Sequence, residues 1–201
     1  MLIQAVPLAL SYKGNRDYIT GADIAQEMLN HTDACSHLRI EFHHIADCAL
    51  SMYEVSERQL PALKQNDDVY AWLTYKDANG LQRYWLACAQ APAPQVLRLD
   101  YDESVFTRYA VLDDTGIHAD ADSLQARPID ALVALNKLML NQCVEVHPWV
   151  FVRLDLQNWP LEASHVFLRL PAKASHGLYK TPIVCGGTIA GAIYFTRRPT
   201  P

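Results

Sequence analysis

Two adjacent histidines close the stretch LRIEFHHIAD, residues 38–47. Imidazole changes charge near neutral pH, so it suits the removal or delivery of a proton. An extended strand sends successive side chains to opposite faces, which separates the pair. Leu38, Ile40, Phe42 and His44 then share one face, and Arg39, Glu41 and His43 the other. His44 is expected on the apolar side, at the end of a row where the chain leaves its sheet, with Asp47 three residues on to orient the ring. The plainer alternative is a core-edge histidine satisfied by a backbone carbonyl.

A second group precedes the first helix. SYKGNRDYITGADIAQEM, residues 11–28, combines a turn at Lys13-Gly14-Asn15 with a helix start in which Thr20 caps and Asp23 reaches back from the third helical position. Capping alone accounts for Thr20 and Asp23. The N–H groups of Gly21 and Ala22 at such a start can also hold an anion or a developing oxyanion. Lys13 and Arg16 stand near enough in sequence to meet a phosphate, unless they belong to a solvated turn.

The elements that must position these residues occur twice. LRIEFHH, residues 38–44, aligns with VRLDLQN, residues 152–158, matching apolar residues at three positions, Arg39 with Arg153 and Glu41 with Asp155. Leu29 lies nine residues before Leu38, as Cys143 does before Val152. Helices are predicted over roughly Gly21–Asn30 and Pro128–Val144. In the second, Ile129, Leu132, Val133, Leu135, Leu138, Met139, Leu140 and Cys143 cannot share one stripe, which predicts a helix buried all round. Period-two alternation on either side of Asn79-Gly80 predicts a hairpin. Further strands are expected around His176-Gly177 and Gly186-Gly187. The alignment places Asn158 opposite His44, so one copy keeps an imidazole where the other has an amide.

Composition limits the classes of function. The chain has 201 residues, formal charge −5 and half its residues hydrophobic, the profile of an ordinary globular protein. No basic stretch exceeds the TRR near the tail, which argues against nucleic acid as a partner. No run reaches the roughly 20 apolar residues of a membrane span. MLIQAVPLAL reads as a first strand and not as a secretory leader. Five cysteines, widely spaced and without C-x-x-C, argue for a reduced, cytoplasmic setting.

A long wrapped helix beside an antiparallel sheet, present twice in one chain, resembles the hot-dog superfamily in its tandem, double hot-dog form. The resemblance implies an α+β fold of two helix-plus-antiparallel-sheet units, here 1–97 and 129–201 joined by an acidic, irregular linker over 98–128. It implies acyl-thioester chemistry on acyl-CoA or acyl carrier protein: 3-hydroxyacyl dehydration or hydration, or thioester hydrolysis, with no cofactor. It also implies that the amides of Gly21 and Ala22 hold the thioester carbonyl, that Lys13 and Arg16 meet the phosphates of the carrier arm, and that one site forms where the units meet. There Asn136 or Asn141 of the second helix and Asn158 could supply amides. The His-Phe-Pro type motif common in hot-dog dehydratases is missing, which keeps a noncatalytic binding or assembly protein as the alternative. Further association into a homo-oligomer stays open.

Other signals are weaker. Cys35, His37, His43 and His44 scatter over both faces of a strand, which argues against a metal site. Gly186-Gly187-Thr188-Ile189-Ala190-Gly191 lacks dinucleotide-loop spacing, and no G-x-S-x-G occurs. Asp113, Asp114, Asp120 and Asp122 lack the glycine and glutamate of a calcium loop.

Overall fold

A computed structural model describes residues 5–63, 66–90, 97–120, 122, 124, 127–161, 164–171 and 177–198. The chain forms two compact units, Met1–Tyr101 and Asp102–Pro201. Each combines helix with antiparallel sheet, so the fold is α+β, the arrangement that the hot-dog resemblance implies.

In the first unit β1 (Val6–Pro7) and β2 (Ser11–Lys13) lead to α1 (Gly21–Asn30) and β3 (Cys35–Phe42). β4 (Leu50–Glu54), a 3-10 turn at Glu57–Gln59, α2 (Leu60–Leu63), β5 (Val69–Lys76), β6 (Gln82–Ala89) and β7 (Leu97–Leu99) follow. The strand order is β1-β4-β6-β5-β3, every pair antiparallel, while β2 and β7 pair in parallel. α1 occupies the residues expected of it. Ala22, Ile24, Ala25, Met28 and Leu29 are all buried, and they share the core with Ile40, Leu50, Met52, Ala71, Leu73 and Ala87. β5 and β6 form the hairpin, with Lys76 opposite Gln82. Its turn is held by the Asp77 side chain, which accepts from the N–H groups of Asn79 and Leu81, and by Gly80 at φ 76°. The crossing from β4 to β5 makes a small core of its own, where Leu60 and Leu63 pack on Val55, Val69, Trp72 and Leu86.

In the second unit α3 (Ser104–Thr107), β8 (Val111–Leu112) and β9 (Gly116–Asp120) precede α4 (Pro128–Cys143), which is followed by β10 (Trp149–Trp159), β11 (His165–Arg169), β12 (Leu178–Cys185) and β13 (Thr188–Arg197). The order is β8-β9-β11-β12-β13-β10, again antiparallel. Much of the stretch 98–128 is therefore not linker. The alternation of GIHAD buries Ile117 and Ala119 and turns His118 and Asp120 outward, which makes β9 a strand of the sheet. α4 is buried around its whole circumference through Asn136, but its last turn opens to solvent, so Cys143 is exposed against expectation. β12 and β13 form the hairpin at Gly186-Gly187, whereas His176 lies outside the described residues.

The repeat is visible in these elements. β3 and β10 each follow their helix and stand at one end of their unit's strand order. Both carry a register irregularity just before the matched arginines, between Ser36 and Arg39 and between Phe151 and Arg153. Each unit then fills five corresponding positions, β3, β5, β6, β4, β1 in one and β10, β13, β12, β11, β9 in the other. The two middle positions are visited in opposite order along the chain.

Candidate active site

The start of α1 is built as its sequence predicts. Thr20 is extended, at φ −75° and ψ 146°, and its Oγ1 accepts from the Asp23 N–H at 3.2 Å while donating to Asp23 Oδ2 at 2.7 Å. Among the described residues no acceptor meets the N–H of Gly21 or Ala22. Two donors thus stay available at the positive end of the helix dipole.

Lys13 is not in a solvated turn. Its Nζ lies 2.7 Å from Asp23 Oδ1, both side chains about 5% exposed, and 4.2 Å from the centre of the Tyr101 ring. Strand β2 carries Lys13 inward, because its pairing with β7 holds Ser11–Lys13 extended beside Leu97–Leu99. Lys13 therefore completes the helix start and is not placed to meet a phosphate. Arg16 is half-buried, its guanidinium 5.4 Å from the same ring.

The loop after β3 runs beside this helix start. A single bridge pairs Ile19 with Ala46, the Ile19 N–H donating to the Ala46 carbonyl at 2.6 Å. His44 lies two residues before Ala46, and Gly21 two residues after Ile19. Tyr12 Oη donates to the Asp47 carbonyl at 2.5 Å and fixes the far end of the loop.

His44 does not face the interior. β3 ends at Phe42 and the chain bends at His44, so the alternation that would carry this side chain to the Ile40 side has stopped. Its exposed ring stands edge-on to Tyr70, centroids 6.1 Å apart. Asp47 is exposed as well, and no hydrogen bond joins it to His44. His43, also exposed, meets Trp72 edge-on at 5.7 Å.

Tyr70 and Cys48 complete the group and were not singled out by the sequence. Cys48 Sγ and Tyr70 Oη share a hydrogen bond at 3.7 Å. That bond first, then burial and the negative charge of Asp47 and Asp68, pushes the phenol up to about 12. Tyr70 is thus a neutral O–H donor at any ordinary pH. Its place in the alternating β5 was legible, but its pairing with a cysteine 22 residues away depends on the loop.

The corresponding features of the second unit differ. α4 begins with Pro128, which has no N–H to offer, and its cap residue Arg127 makes no side-chain capping bond. Asp130, third in the helix as Asp23 is in α1, pairs with Arg127. Asn136 is fully buried, and among the described residues neither atom of its amide has a partner. Asn141 is structural: its Oδ1 accepts from Trp149 Nε1 at 2.9 Å and from the His147 N–H at 3.2 Å. Asn158 is exposed near the end of β10, a strand that runs on to Trp159, so it lines no apolar row.

No protein-family model matches the chain, and no characterised protein matches its sequence. Solved structures similar to it include a monomeric dehydratase domain of a trans-AT polyketide synthase split module, at 10% identity and TM-score 0.44, covering 97% of both chains. An acyl-ACP thioesterase of Bacteroides thetaiotaomicron is 10% identical with TM-score 0.46, again over 97% of each chain. The dehydratase domain of PpsC from Mycobacterium tuberculosis, solved with C12:1-CoA, is 10% identical with TM-score 0.45, over 96% of this chain and 87% of that one. No described helix is long and apolar enough to cross a membrane.

Proposed function

We propose that this chain is an enzyme that processes acyl thioesters, presented as acyl-CoA or on an acyl carrier protein, at the amino end of α1. The observation that carries this reading is the Ile19–Ala46 bridge, which sets the His44 loop beside the open amides of Gly21 and Ala22. A thioester carbonyl needs donors for the charge that develops on its oxygen, and those two N–H groups supply them.

His44 then serves as the proton-transfer group. In dehydration of a 3-hydroxyacyl chain it takes a proton from the carbon next to the carbonyl, the C–O bond at the third carbon breaks with its electron pair, and the hydroxyl leaves as water after gaining a proton. Hydration is the reverse. In hydrolysis the same imidazole draws a proton from a water that attacks the carbonyl, and the thiol leaves. Asp47 orients the ring once substrate draws the loop together, as catalytic hydrogen bonds often tighten only in the complex. Tyr70 offers a neutral O–H beside the imidazole, and Arg16, half-buried against the Tyr101 ring, is assigned to a phosphate of the carrier arm. A reducing, cytoplasmic setting belongs to the same reading: all five cysteines are unbridged.

The test is turnover on a panel of acyl-CoA and carrier-bound 3-hydroxyacyl substrates with the native chain and His44→Ala. A positioned acid–base group contributes roughly 10²–10⁴-fold, so turnover should fall by that factor. Equal turnover in both proteins would remove His44 from the mechanism. Neither binding nor turnover of any acyl thioester would overturn the reading and favour a noncatalytic assembly role.

A further inference from the structure

Strands β9 and β11 carry a second constellation that the acyl-thioester reading does not use. Their register sets His118 opposite Phe167 and Asp120 opposite His165, and the period of two puts these four side chains on one face. His118 Nδ1 and His165 Nε2 face each other at 3.2 Å. The outer nitrogens meet carboxylates: His118 Nε2 lies 3.2 Å from Asp113 Oδ2, and His165 Nδ1 3.5 Å from Asp120 Oδ1.

Asp113 is held before any ligand arrives. Its Oδ1 accepts from the Thr115 N–H at 2.7 Å, the Thr115 hydroxyl at 2.6 Å and the Gly116 N–H at 3.1 Å. Gly116 is required where it stands, since a Cβ there would lie 2.1 Å from the Leu168 carbonyl. The His118 ring is also fixed from its side by Phe167, stacked at 4.2 Å and 10°.

A neutral imidazole has one N–H, and a carboxylate only accepts. With both N–H groups directed at Asp113 and Asp120, the facing nitrogens are two lone pairs 3.2 Å apart, an arrangement that calls for something electron-poor between them. Two nitrogens bound to one tetrahedral zinc at ~2.0–2.1 Å stand roughly 3.3 Å apart. A carboxylate on the far nitrogen of each histidine is the outer-shell pattern that orients metal-binding imidazoles.

We propose that His118 and His165 form a two-histidine site for a divalent transition-metal ion of the zinc class, with Asp113 and Asp120 as positioning residues. Among the described residues no group of three or more His, Cys, Asp or Glu is arranged to hold an ion. The remaining coordination positions therefore belong to water or to a ligand's own donors, and the site is open.

The experiment is equilibrium dialysis and calorimetry of the full chain with Zn²⁺ alone, Mg²⁺ as control, on the native protein, His118→Gln, His165→Gln and Asp113→Asn. One zinc per chain is expected, and each glutamine variant should abolish that binding. Asp113→Asn should weaken it about 10- to 100-fold. These side chains are partly or fully exposed, so circular dichroism should show all variants folded. In ¹⁵N spectra of labelled imidazoles, zinc should move His118 Nδ1 and His165 Nε2. No saturable zinc binding, binding unchanged in both glutamine variants, or a proton still bridging the two rings under excess zinc would each overturn the proposal.

Discussion

The two units differ most where their helices begin. α1 starts with two open amides over a buried ion pair, while α4 starts with a proline and pairs its buried Asp130 with an arginine that reaches solvent. Both keep an aspartate at the third helical position, so the scaffold of the start is shared and its chemistry is not. In the proposed reading the first copy is the working one, since α1 keeps an N–H at its first position where α4 has proline.

The contrast can be broken most severely at the buried pair. Lys13→Met leaves Asp23 charged and enclosed, and is expected to cost about 3–5 kcal/mol in urea unfolding. The corresponding Arg127→Met, at a pair open to water on one side, should cost less; an equal loss would erase the distinction. Next, Gly21→Pro gives α1 the start that α4 has. Thr20 already has the extended backbone a following proline prefers, so the variant should fold. If the amide holds an oxyanion, kcat should drop roughly 10²–10³-fold. Unchanged kcat would move the oxyanion site elsewhere.

A smaller effect is expected in the second unit. Asn136→Leu removes a buried amide without a partner and should raise stability by about 1–3 kcal/mol in thermal unfolding. A loss instead would mean that a bound water or ligand satisfies the amide. The smallest change is Tyr70→Phe, expected to cost about 1 kcal/mol or less. Ultraviolet titration should show one phenol at about 12 that vanishes in the variant. Because the folded chain keeps this proton after the unfolded chain has lost it, stability falls as pH rises from about 10 towards 12.

Patterns confined to one element were readable in advance. Thr20, Asp23 and the alternation about Gly80 gave the bounds of α1 and the hairpin, since caps and turns depend on neighbours in sequence. What depends on where a strand stops was not: one bend after Phe42 turned His44 and Asp47 to solvent. Lys13 looked like a surface residue because β2 owes its extended form to the distant β7, which sets Lys13 opposite Leu99. His118 and His165 stand 47 residues apart, and only the register of β9 on β11 joins them. The aspartates beside them read as linker because acidic composition hid the buried Ile117 and Ala119.

The opposite order of the two middle strands bears on assembly. In the second unit β12 joins β11 and β13 joins β12 as they are laid down, and β13 then closes back on β10. In the first, β5 closes back on β3, and β6 then joins both β5 and the waiting β4. Folding slows as contacts become less local, and each unit has one such long closure onto the strand that follows its helix. During synthesis β10 therefore stays without an antiparallel partner in its own unit until β13, the last strand, has emerged.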